Sequence, residues 1–131
     1  MREADRDHGE SAYLLDASAL LALLEDEEGA EEVEEVLRNH RAVLPFPVLL
    51  EVYYITFQER GEKAADARYA LLKALPASRM NEIDEPTLLT AGRFKAVYAV
   101  SVADAVIAAF AVRQNAILVH KDPEYELLGD Q

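Results

Sequence analysis

Ala12-Tyr13-Leu14-Leu15-Asp16-Ala17-Ser18-Ala19-Leu20-Leu21 changes character at a single acidic residue. Before Asp16 stands a short apolar run suited to a buried strand. After it comes an alanine- and leucine-rich segment that favours helix. An aspartate at that junction is a good helix N-cap, because its carboxylate accepts a backbone N–H of the first turn. The unit is therefore strand, acid, helix, and the rest of the chain is read outward from it.

Downstream, short apolar runs keep alternating with longer helical segments. The strand candidates are 12–15, 42–44, 80–83 and 116–119. The helix candidates are 17–24, 30–39, 46–59, 62–75, 86–97 and 102–114, with Gly29 and Gly61 separating neighbours and Pro76 stopping the fourth. Such alternation predicts an α/β domain: a central parallel sheet of four strands, or five if the chain after Asp122 supplies one, with helices on both faces as three layers. Ligands of such sheets bind beyond the carboxyl ends of the strands. Upstream, residues 1–11 are polar and aperiodic and read as a loose tail, leaving 12–131 as one domain.

Bulk properties narrow the function. The 131 residues suit one domain, and 51% hydrophobic content excludes a disordered chain. The absence of cysteine excludes disulfides and thiolate metal sites. No apolar run reaches the roughly 18 residues of a membrane span and no signal-peptide core is visible, so the expected setting is cytoplasmic. The net charge of −12 weighs against a nucleic-acid partner, which wants a basic surface. Much of the excess, however, sits in one block from Glu25 to Glu35, the pattern of a solvated helical face.

Four other acids matter more. Asp122 in Asp122-Pro123-Glu124 looks like an N-cap followed by proline at the first helical position. Ser101-Val102-Ala103-Asp104 matches a capping box. Capping thus explains Asp16, Asp104 and Asp122 singly, but not Glu51. That residue lies a turn and a half inside an apolar helical run, 45–57, with no other charge. A lone carboxylate there either reaches solvent or needs a cation beside it, since burying it alone costs several kcal/mol.

Geometry links the four. The helix from Asp104 to Gln114 is about 15 Å long, and it turns directly into the strand that leads to Asp122 over a similar distance. Asp104 and Asp122 should meet at the carboxyl edge, where Asp16 also leaves its strand and Glu51 lies about 7 Å down its helix. Four carboxylates within metal-bridging reach would repel one another without a cation. Oxygen-only donors suit Mg²⁺ or Mn²⁺, as one ion or two, rather than Zn²⁺.

Leu14-Leu15-Asp16-Ala17-Ser18, Leu49-Leu50-Glu51-Val52-Tyr53, Ser101-Val102-Ala103-Asp104-Ala105 and Leu118-Val119-His120-Lys121-Asp122-Pro123, in this order, resemble the PIN domain family. Within it they are most similar to the VapC-type toxins of toxin–antitoxin pairs. The resemblance runs from about Tyr13 to Leu128. It implies a metal-dependent endoribonuclease acting on single-stranded RNA, a PIN-like fold, a homodimer and a bound antitoxin protein. It places Asp16, Glu51, Asp104 and Asp122 on the family's acidic positions, and Ser18 on its small hydroxyl position. His120 departs from the Ser or Thr that many relatives carry there, and the final strand of the family is expected to be missing or short.

Ser18 would hold a water or phosphate oxygen, or make a first-turn backbone hydrogen bond. Lys121 is the cation nearest the expected site, with Arg93 and Lys95 further candidates for RNA. His120 is either structural or a proton shuttle. The crowding of Tyr53, Tyr54, Ile55 and Phe57 on one helix predicts a homodimer through its outward side. Three rivals stand against the nuclease. A metal-adhesion loop needs a hydroxyl where Leu20 stands, and a phosphoacceptor receiver needs an acidic pair where only Asp16 is present. The third is a catalytically inactive PIN-like scaffold or RNA-binding module.

Overall fold

The computed structural model describes residues 12–120. The four strands β1 (Ala12–Leu15), β2 (Ala42–Pro45), β3 (Ser78–Met80) and β4 (Ala116–Val119) form one parallel sheet in the order β3-β2-β1-β4. Six helices connect them: α1 (Ala17–Leu24), α2 (Ala30–Asn39), α3 (Phe46–Arg60), α4 (Glu62–Ala74), α5 (Glu85–Val97) and α6 (Val102–Arg113). The expected tail at 1–11, and any fifth strand beyond Asp122, lie outside the described residues.

The strand order decides where the helices go. From β1 to β2 to β3 the chain steps steadily in one direction, then jumps back past both to β4. With right-handed crossovers, α1–α4 cover one face and α5–α6 the other. The reversal falls between β1 and β4, which makes that gap the topological switch point of the sheet. Leu14, Leu15, Leu44 and Val43 are at most 1% exposed, as expected of strands covered on both sides. Leu20, Val48, Val52, Leu72 and Ile107 close over them from the helices.

Local chemistry sets the boundaries. Leu75 is held extended (φ −68°, ψ 147°), as a residue before proline prefers, so α4 ends at Ala74 rather than at Leu75. Between α3 and α4 the backbone at Gly61 adopts φ 95°, ψ 171°, a conformation open to glycine almost alone. Arg68 on α4 then ties the helices together. Its Nη1 lies 3.1 Å from Glu25 at the end of α1 and 3.2 Å from the Thr56 hydroxyl on α3.

One strand differs from expectation. β3 is Ser78–Met80 rather than 80–83, in register with β2 through Val43↔Ser78, Leu44↔Arg79 and Pro45↔Met80. It is an edge strand whose first two residues are exposed, so it needs no apolar run. The apolar signal at Ile83 belongs to the loop before α5, whose cap is Asp84.

Candidate active site at the carboxyl edge

Asp16 ends β1 at the switch point. Its backbone N–H donates to the Val119 carbonyl of β4 (3.2 Å), and its carbonyl accepts the Leu20 N–H (3.0 Å). Its carboxylate Oδ1 accepts the Ala19 N–H at 3.0 Å and the Ser18 hydroxyl at 2.8 Å. The residue is an N-cap, yet it is only 4% exposed. Most caps sit at the surface, where water completes the carboxylate's shell. Ser18 gives its hydroxyl proton to Asp16, a partner that the sequence reading did not foresee.

Asp104 occupies the third position of α6 and is 6% exposed. The Ser101 half of the capping box is formed, with the Asp104 N–H donating to Ser101 Oγ at 3.0 Å. The second buried carboxylate therefore enters the same edge of the sheet, because α6 runs antiparallel to β4 and starts where β4 ends. Glu51 is half-buried on α3. Its helix begins directly after β2, so it too lies about 7 Å from the carboxyl edge.

Asp122 and Lys121 lie outside the described residues. Among the described residues, no group of three or more His, Cys, Asp or Glu side chains is arranged as a ready metal cage. The donor chemistry nevertheless fits a hard divalent cation. Asp16 and Asp104 are nearly fully buried and carry only oxygen donors. A recess of about 510 Å³ lies between the end of β4, at Val119 and His120, and the α1–α2 pair, at Ala19, Glu28 and Glu32.

The other expected cations are engaged locally. Lys95 donates to the Val100 carbonyl (2.8 Å), fastening the loop before α6, and Arg93 lies 3.4 Å from the Thr90 hydroxyl. On the far side of α3, Leu50 is 59% exposed, with Tyr54 and Phe57 also exposed. A groove of about 580 Å³ lined by Phe46, Leu49, Tyr53 and Tyr69 runs along this surface. Tyr53 donates to Asp66 at 2.7 Å, and that bond raises the phenol's pKa above its ordinary value.

The fold has counterparts among known proteins. The PIN domain family model matches residues 13–130. No protein of curated function matches the sequence. Among solved structures, the chain is similar to Mycobacterium tuberculosis VapC20, described as a sarcin-ricin loop cleaving toxin. The TM-score is 0.68 at 14% identity, covering 88% of this chain and 95% of that one. VapBC-1 of nontypeable Haemophilus influenzae aligns with TM-score 0.68 at 24% identity, over 90% and 92% of the two chains. VapBC2 of Rickettsia felis, bound to a DNA fragment from its promoter, aligns with TM-score 0.70 at 15% identity, over 87% and 90%. These likenesses are of fold. Because the family model spans nearly the whole sequence, this chain belongs to the PIN domain family.

Proposed function

We propose that the protein is a metal-dependent endoribonuclease that cleaves single-stranded RNA as the toxin of a toxin–antitoxin pair. The observation that carries this reading is the burial of two carboxylates, Asp16 where β1 ends beside β4 and Asp104 in the first turn of α6, which are 4% and 6% exposed. Buried carboxylates are costly unless a cation or several donors compensate them, and they concentrate at functional sites. The similarity to VapC20, described as a sarcin-ricin loop cleaving toxin, supports a cleaving toxin here. Similarity to VapBC complexes supports an antitoxin partner.

In this reading Asp16 and Asp104 hold Mg²⁺ or Mn²⁺, and Glu51 and Asp122 complete the shell of one ion or two. When bound, the metal acidifies a water and neutralises charge developing on the scissile phosphate. Ser18 steadies the Asp16 carboxylate through its hydroxyl. Lys121 supplies a counter-charge for the RNA backbone, and His120 braces the end of β4. Incubating antitoxin-free protein with a single-stranded RNA tests the reaction. Cleavage should require Mg²⁺ or Mn²⁺ and stop with EDTA. Cleavage that persists in EDTA, or none with metal, would sink the proposal; the second outcome would favour a scaffold.

The exposed face of α3 supports a homodimer. A Leu50→Lys variant should sediment at 14.6 kDa where the wild type sediments at twice that mass. A wild type that is monomeric at tens of micromolar contradicts it.

A further inference from the structure

Away from the carboxylates, a trough of about 610 Å³ crosses β2 and β3 on the side covered by α5 and α6. Arg41, just before β2, and Arg79 of β3 both line it. Neither guanidinium has an ion-pair partner or side-chain hydrogen bond among the described residues, in a chain whose net charge is −12. Other arginines are engaged: Arg60 and Arg68 with Glu25, and Arg38 with Glu34. Two arginines without such partners thus line one concavity of a strongly acidic protein, and arginine's planar fork suits phosphate oxygens.

The rest of the lining argues for more than a bare anion. Val43, Ile83 and Phe110 give it an apolar floor, and Asn81 and Gln114 bring uncharged donors and acceptors. The volume falls within the usual range for small-ligand sites, about 300–1,000 Å³. Two acids also line it. Asp84 is committed as the cap of α5, accepting the Thr87 N–H at 2.9 Å. The bond to Thr87, followed in weight by the charge of Arg113, keeps its carboxyl below the ordinary range. Glu82 is exposed and is left to face hydroxyl or amino groups. Gln114 caps the end of α6 remote from Asp104, about 15 Å along the helix, and none of Asp16, Glu51 and Asp104 lines the trough, although it follows β3 past Met80 to Asn81 and Glu82.

We propose that this trough binds a nucleotide, with Arg41 and Arg79 taking the phosphate and the apolar floor taking the base. The nucleotide is either free or one residue of an RNA strand. The proposal does not depend on the nuclease reading, because none of Asp16, Glu51 and Asp104 lines the trough.

Calorimetric titration of the full chain tests it, using 5′-mononucleotides, inorganic phosphate, a polyglutamate peptide and a cleavage-resistant 2′-O-methyl RNA of about ten residues. Wild type and Asp16→Asn should bind a mononucleotide within twofold of each other, and inorganic phosphate at least tenfold more weakly. The double variant Arg41→Gln/Arg79→Gln, in which both altered side chains are exposed, should melt with the wild type and lose at least tenfold in nucleotide affinity. An equal loss for the RNA identifies a strand residue as the ligand. RNA affinity left unchanged identifies a free nucleotide. No saturable nucleotide binding, binding indifferent to the double variant, phosphate binding as tightly as nucleotide, or capture of polyglutamate alone would each overturn the proposal.

Discussion

Two groups of acidic residues in this molecule live under opposite conditions. On α2, Glu31, Glu32, Glu34 and Glu35 face water, while Val33, Val36 and Leu37 face the core. Glu34 pairs with Arg38 at 4.0 Å, and Glu35 lies 3.4 Å from His40. At the sheet edge, Asp16 and Asp104 are nearly withdrawn from water. Solvated carboxylates cost the fold almost nothing and need no partner, so their number says little about function. Desolvated carboxylates are retained only where something compensates them. The net charge of −12 is therefore a poor guide to the partner, and the location of two of those charges is a better one.

Divalent metal should separate the two groups most strongly. An ion that binds only the folded state at 100 times its Kd adds about 2.7 kcal/mol, or roughly 10 °C in melting point for a domain of this size. Asp16→Asn should shrink that shift, and it should raise the metal-free melting point by relieving repulsion at the edge. Melting curves with millimolar Mn²⁺ and with EDTA check both, and identical curves would erase the distinction. At the other extreme, Glu31→Gln with Glu34→Gln should change stability by no more than about 0.5 kcal/mol and leave the metal shift intact. A larger loss would mean that the α2 face does more than keep the protein hydrated.

The contrast was only partly readable in the sequence. Asp16 stands out because a strand-like run meets a helix-like one there, and Asp104 because Ser101 precedes it by three. Glu51 is conspicuous as the one charge in the apolar run 45–57. Local pattern carries that much. It does not carry β3, because an edge strand with exposed Ser78 and Arg79 leaves no apolar signature. Nor does it carry the trough, since Arg41 and Arg79 are brought together only by the pairing of β2 with β3. The bond from Ser18 to Asp16 depends on a rotamer, which composition cannot specify. Asp122 and Lys121 fall outside the described residues, so the expectation that Asp122 meets Asp104 stays an expectation.

The central claim is that Asp104 serves chemistry rather than merely starting a helix. Its most direct test is Mn²⁺-dependent cleavage of a single-stranded RNA by wild type, Asp104→Asn and Ala103→Ser, alongside their melting curves. Ala103→Ser, one position away, reports any general disturbance of the start of α6. As a helix-start residue, Asp104 contributes no more than about 0.5–2 kcal/mol of stability, and asparagine retains part of that. As a metal ligand, its loss should lower the cleavage rate on the order of 100-fold, about 2.7 kcal/mol of transition-state stabilisation. The account predicts a folded Asp104→Asn variant with at least that loss of rate, beside an active Ala103→Ser. Undiminished cleavage by folded Asp104→Asn, or an Asp104→Asn protein that fails to fold at all, would contradict it.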